Sequence, residues 1–120
     1  MSFTDKSLKE LTKIVFKRKY EFDEEPKEFR GTSGKKWTFD ALVSTNNAEQ
    51  FGVFIRDWKR EISITQMRQL RKACIDVPEV KGGIMVCNIA SEFSRNFCNQ
   101  FNIQLISRGH LVSKLRTSYL

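Results

Sequence analysis

From Thr4 to about Lys19, apolar residues recur at helical spacing through Leu8, Leu11 and Ile14 or Val15, while Lys9, Lys13 and Lys17 fall on the opposite face. This spacing predicts an amphipathic first helix with Thr4 or Asp5 as its N-cap. A short strand is expected at Tyr20 to Phe22. The stretch from Glu21 to Lys36 then mixes charge, one Pro and two Gly without a sustained period, which reads as a mobile loop. Trp37 to Ser44 alternates, Thr45-Asn46-Asn47-Ala48 is turn material, and Phe51 to Trp58 is again strand-like, so the two segments predict a β-hairpin. Ser63 or Thr65 opens a helix through Met67, Leu70, Ala73 and Cys74 that Pro78 ends. The run Ile84-Met85-Val86-Cys87 is continuously apolar, the pattern of a strand buried on both faces. A helix follows, capped by Ser91 and carrying Phe93, Phe97 and Phe101. Then come a strand at Ile103 to Ile106 and a last helix at His110 to Leu115.

The resulting order is α β β β α β α β α. A hairpin followed by β-α-β-α-β implies an α/β fold with a mixed central β-sheet flanked by helices on both faces, the crossovers being right-handed. With 120 residues and 40% hydrophobic positions, residues 1–120 suit a single domain, and ten Phe with two Trp supply bulky core material. Cys74, Cys87 and Cys98 are an odd count, too widely spaced for a metal or redox pair. Their apolar surroundings imply reduced thiols and a cytoplasmic setting. The segment Met1 to Lys6 has no apolar signal core, and no run approaches the roughly 20 apolar residues of a membrane span. The expectation is no membrane partner.

Charge changes the picture most. A formal net charge of +7 makes an anionic partner plausible, nucleic acid first, because clustered Lys and Arg release counterions from phosphates. The segment Arg30-Gly31-Thr32-Ser33-Gly34-Lys35-Lys36 offers backbone N–H groups and cations to a phosphate through Arg30, Ser33, Lys35 and Lys36, although it lacks a full phosphate-loop spacing. Lys59 and Arg60, with Arg68, Arg71 and Lys72 on the next helix, form a second basic cluster that would otherwise be an ordinary solvated face. Trp58 is a candidate base-stacking ring, though a strand Trp is more often packing. His110 is the single histidine, with no nucleophile partner evident in sequence, and Gly82-Gly83 precedes a strand where a dinucleotide loop would follow one.

The layout, the segment Trp37-Thr38-Phe39-Asp40-Ala41-Leu42-Val43 and the segment Gly52-Val53-Phe54-Ile55-Arg56-Asp57-Trp58-Lys59-Arg60-Glu61-Ile62-Ser63 resemble the Mrr-type branch of the restriction-endonuclease-like, PD-(D/E)xK nucleases. The later Gly82 to Asn88, Phe93-Ser94 and Ile103 to Ile106 are similar to that family's closing β-α-β, so the resemblance spans about residues 30 to 115. It implies a restriction-endonuclease-like core, DNA as partner and, where the site works, Mg-dependent phosphodiester cleavage. Its chemistry needs two oxygen ligands on one face for a hard cation and a lysine beside the attacking water.

Asp40 matches the family's first acid. Aligning the second strand on Trp58-Lys59-Arg60 and Ile62-Ser63 puts Phe54 and Arg56 at the remaining motif positions, and a phenylalanine binds no metal. A rival register uses Asp57 as second ligand and Lys59 as activating cation. That slip of three residues is odd, so Asp57 would face away from Phe54 unless a bulge intervenes. Glu10 matches the acid that the family commonly places on its first helix, against the plainer reading of a solvated helix charge near Lys13. Three functions follow. One is a DNA-binding module with an impaired metal site that acts with a partner or as a homodimer. The others are an active endonuclease using Asp40, Asp57 and Lys59, and a protein-interaction scaffold that keeps the nuclease fold.

Overall fold

A computed structural model describes residues 5–117. The elements are α1 (Leu8–Phe16), β1 (Glu21–Asp23), β2 (Lys27–Arg30), β3 (Lys36–Phe39), β4 (Ala41–Ser44), β5 (Gln50–Glu61), α2 (Ile64–Asp76), β6 (Gly82–Ile89), α3 (Glu92–Gln100), β7 (Ile103–Ser107) and α4 (Arg108–Thr117). Five strands form the central sheet in the order β1-β4-β5-β6-β7, and β2 with β3 forms a separate two-stranded sheet. The β1/β4 and β4/β5 pairs are antiparallel, whereas β5/β6 and β6/β7 are parallel, so the sheet is mixed as the pattern predicts.

Strand alternation divides the core into two layers. Val53 of β5, Ile84 and Val86 of β6 and Ile106 of β7 meet Leu8 and Leu11 of α1 and Leu111 and Leu115 of α4. On the other face, Phe54, Met85 and Cys87 meet Met67, Leu70 and Ala73 of α2 and Cys98 of α3. Residues of β6 thus enter both layers in turn, which accounts for its unbroken apolar run. Among the described residues no helix is long and apolar enough to cross a membrane.

Four expectations need correction. The first helix starts later: Ser7 is the N-cap, its hydroxyl accepting from the Glu10 amide at 3.1 Å, while Asp5 precedes the cap and Thr4 lies outside the described residues. The stretch expected to be a mobile loop is the β2–β3 hairpin, in register Lys27↔Phe39 to Arg30↔Lys36. The strand expected from Trp37 to Ser44 is two strands broken at Asp40, with Phe39 belonging to the small sheet and Ala41 to the large one. On α3, Phe93 is 64% exposed, and the buried stripe is Ser94 and Cys98. The i,i+4 spacing of the phenylalanines describes a stripe of the helix adjoining its buried one.

Candidate functional site

Asp40 sits where the chain leaves the small sheet for the large one. Its amide donates to the Val53 carbonyl at 2.9 Å, and its Oδ2 accepts from the Ile55 amide at 2.8 Å. The carboxylate therefore stands in for a β4 carbonyl, because pairing with β5 ends at Ala41↔Val53. The same Oδ2 accepts from Arg56 at 2.6 Å, and Arg56 Nε donates to Gln66 Oε1 of α2 at 2.8 Å. Arg56 also lies over the Phe54 ring, 4.5 Å from its centroid, so one side chain ties Asp40 to α2 while shielding the edge of the core. Phe54 itself is 5% exposed, buried against Phe39.

Asp57 joins a different network. Val53 and Ile55 of β5 pack toward α1 and α4, and continued alternation carries Asp57 to the same side, where its Oδ2 accepts from the Leu8 amide at 3.1 Å. It thereby satisfies one of the four amides that a helix N-terminus leaves without an internal partner. Its Oδ1 accepts from Asn88 Nδ2 at 2.8 Å and from Arg108 at 3.3 Å. Arg108 donates further to Asn88 Oδ1 at 2.7 Å and to the Lys6 carbonyl at 2.8 Å, while Asn88 also donates to the Trp58 carbonyl at 2.8 Å. These donors hold the Asp57 carboxyl below its ordinary range, the Asn88 amide contributing most, then the Leu8 amide.

The three carboxylates singled out from the sequence thus have separate partners: Arg56 for Asp40, Arg108 for Asp57, and Lys6 at 4.0 Å for the exposed Glu10. Among the described residues no three His, Cys, Asp or Glu side chains form a group that could hold a metal ion. Lys59 is exposed on β5. Asn88 and Arg108 were not predicted. The one local signal for Asn88 is that it ends the apolar run of β6, and Arg108 stands at a strand-to-helix junction.

The basic loop also behaves differently from its expected role. Its donors converge on a carboxylate of the same chain, Asp76 at the end of α2. Thr32 Oγ1 and the Ser33 amide donate to Oδ1, both at 2.9 Å. Ser33 Oγ donates to Oδ2 at 2.6 Å, as does Trp37 Nε1 at 2.8 Å. Ser33, expected to face a phosphate, is therefore engaged internally, and a Cβ at Gly31 would overlap the Asp76 carboxylate. Lys35 lies over the Trp37 ring at 4.1 Å, and Lys36 pairs with Glu28 at 3.9 Å. In the second basic cluster, Arg60 stacks on Trp58 at 4.7 Å and Arg71 on Phe101 at 3.9 Å. Arg30, Arg68 and Lys72 are exposed.

No family model matches the sequence, and no curated protein matches it. Solved structures do. A crystal structure of a protein of unknown function superimposes with a TM-score of 0.70 at 10% identity, over 87% of this chain and 62% of the other. A repair endonuclease from Pyrococcus abyssi gives 0.54 at 13% identity, over 86% and 47%. EndoMS in its apo form gives 0.52 at 15% identity, over 86% and 46%. The fold is restriction-endonuclease-like. At such identities the likeness shows the fold alone. The chain spans less than two thirds of each of these structures. Within the restriction-endonuclease-like frame, Asp40 and the β4–β5 hairpin stand in the central sheet, and α1 lies across the face to which Asp57 turns.

Proposed function

We propose that this chain is a DNA-binding module with a restriction-endonuclease-like fold, akin to the Mrr branch, whose metal-dependent cleavage is impaired. One observation carries the reading: each candidate carboxylate of the β4–β5 hairpin is already paired with a guanidinium, Asp40 with Arg56 at 2.6 Å and Asp57 with Arg108 at 3.3 Å. A hard cation needs several free oxygen ligands and gains little from carboxylates whose charge is cancelled. Arginine in place of an activating lysine supports the same view, since a guanidinium does not give up its proton near neutral pH. The net charge of +7 and the exposed Lys59, Arg60, Arg68, Arg71 and Lys72 favour a phosphate backbone as partner.

Arg30, Lys35 and Lys36 add exposed cations on the β2–β3 hairpin. Exposed apolar side chains at the β6–α3 junction, Ile89 and Phe93, favour action within an assembly, either a homodimer or a complex with a partner. Sedimentation that finds only monomers, free and on DNA, would count against this part. The three thiols are buried or half-buried, and burial pushes each up to about 11. Such unreactive thiols suit a reducing cytoplasm.

The test is binding and cleavage on linear, nicked and branched DNA with Mg or Mn. Affinity should fall by at least about tenfold between 50 and 200 mM salt, and Arg68→Glu with Lys72→Glu should weaken it about tenfold. Cleavage should stay at background. Metal-dependent cutting abolished by both Asp40→Ala and Asp57→Ala would replace this reading with an active endonuclease using Asp40, Asp57 and Lys59. Absence of DNA affinity at low salt would leave the interaction scaffold.

A further inference from the structure

A cavity of about 440 Å³ opens at the end of the sheet where β4 runs out and β5, β6 and β7 begin, on the face covered by α1 and α4. Its floor is Val43, Phe51, Ile84 and Ile106, one residue from each of four neighbouring strands, and its walls include Val15 and Phe16. Tyr20, 40% exposed, stands at the mouth. Here α1 finishes at Phe16, short of the sheet's end, and Gln104 of β7, on the same face, stays exposed. It is not part of the Asp40 and Asp57 region. Phe51 and Asp57 are six positions apart on β5, which at strand rise is about 20 Å.

Charge decides what the cavity suits. Among the described residues Arg18, Lys19 and Lys114 line it, and no carboxylate does. Of the acids in the flanking segments, Glu24 pairs with Lys13 at 2.7 Å, Asp23 with Lys27 at 3.0 Å and Glu49 with Lys81, and Glu21 of β1 is exposed and alternates to the face opposite Phe22. Among the described residues none of the three lining cations has an ion pair. The C-terminal end of α1 lies here and attracts cations, and Arg18 donates to the Lys114 carbonyl at 3.4 Å. A helix end contributes roughly half a negative charge, so three cations leave an excess of at least about two positive charges. An apolar floor beneath an unneutralised positive rim, with a volume inside the range of small-molecule sites, matches an amphipathic anion.

We propose that this cavity binds a small amphipathic carboxylate of medium-chain fatty-acid size, its apolar body on the Val43, Phe51, Ile84 and Ile106 floor and its headgroup held by Arg18, Lys19 and Lys114. The proposal does not depend on the DNA-binding reading. Isothermal titration of the full chain with dodecanoate, below its micelle concentration, should show one saturable site. Dodecan-1-ol, which lacks the charge, and inorganic phosphate, which lacks the apolar body, should each bind at least about tenfold more weakly. Arg18→Glu with Lys114→Glu removes the headgroup contacts from exposed positions, and Gln104→Trp fills the floor from a surface position. Each should weaken dodecanoate at least tenfold while circular dichroism and Tm remain native. Absent or non-saturating binding, binding that both variants leave unchanged, equal binding of the alcohol, or displacement of dodecanoate by a DNA oligonucleotide would overturn the proposal.

Discussion

Asp76 and Asp57 are both saturated carboxylates, and the two sites saturate them by different chemistry. Around Asp76 the donors are neutral: two hydroxyls and a backbone amide from the β2–β3 turn and an indole from β3. Around Asp57 they come from three separate elements and include a guanidinium. Neutral donors keep the carboxylate charged and make the loop's shape depend on it. A guanidinium cancels the charge and leaves the backbone to its own strands and helices. The first arrangement builds local structure, whereas the second ties together structure that packing already holds.

The largest expected effect is therefore at Asp76. Asp76→Ala should lower Tm by about 5–10 °C and speed amide exchange across residues 31–36, since four donors lose one acceptor. Asp76→Asn, which keeps an acceptor oxygen, should fall between the two. The Asp76 carboxyl is held well below its ordinary value of 3.8, first by the Ser33 hydroxyl, then by the Trp37 indole and the Ser33 amide. Because the folded value is the lower one, the carboxylate's contribution is complete above 3.8 and is lost as pH falls below it, toward the lowered folded value. The stability gap between native protein and Asp76→Asn, measured by denaturant titration, should be constant down to about pH 4 and close below it. A gap that persisted unchanged to about pH 2 would mean that the charge is not what the cradle recognises.

Much of the architecture was legible because it depends on local periodicity. The strand-forming residues of Phe51 to Trp58 marked β5, and the unbroken Ile84 to Cys87 run marked a strand with two covered faces. The β2–β3 hairpin was not legible because the group that orders its turn lies far along the chain: Thr32 and Asp76 are 44 positions apart. A loop rich in Gly, Ser and Lys reads the same whether its anion is a phosphate or its own aspartate. Asp40 and Asp57 stood out as acids on paired strands, but their partners did not. Gln66, Asn88 and Arg108 come from elements that meet β5 only in the fold.

Smaller effects sharpen the contrast on the guanidinium side. Asp57→Ala leaves the Leu8 amide without its partner and Arg108 without its carboxylate. With the Asp57 side chain 47% exposed, the cost should be about 1 kcal/mol by denaturant titration. Arg108→Ala combined with Asp57→Ala should cost less than the sum of the single changes. At Asp40, a double-mutant cycle with Arg56 should return a coupling of about 0.5–1 kcal/mol, the smallest of the set. Arg56→Lys should forfeit most of it, because an ammonium cannot reproduce the planar contact with Phe54 while reaching both Asp40 and Gln66. A coupling above about 2 kcal/mol would place Asp40 with Asp76, as a group on which local structure depends.

The missing Cβ at Gly31 has a consequence for how this sequence can drift over time. Gly31 leaves room for the Asp76 carboxylate, and Thr32, Ser33 and Trp37 face it, so these five positions form one unit of heritable constraint spread across two distant segments. A larger residue at 31 is tolerable only once 76 has shrunk, and a neutral 76 releases 32, 33 and 37 together. Of their neighbours, Lys35 lies over the Trp37 ring and Gly34 is held by its φ of 91°, whereas Thr38 faces solvent. In descendants of this chain the five should change as a group or persist as a group, while Thr38 varies singly.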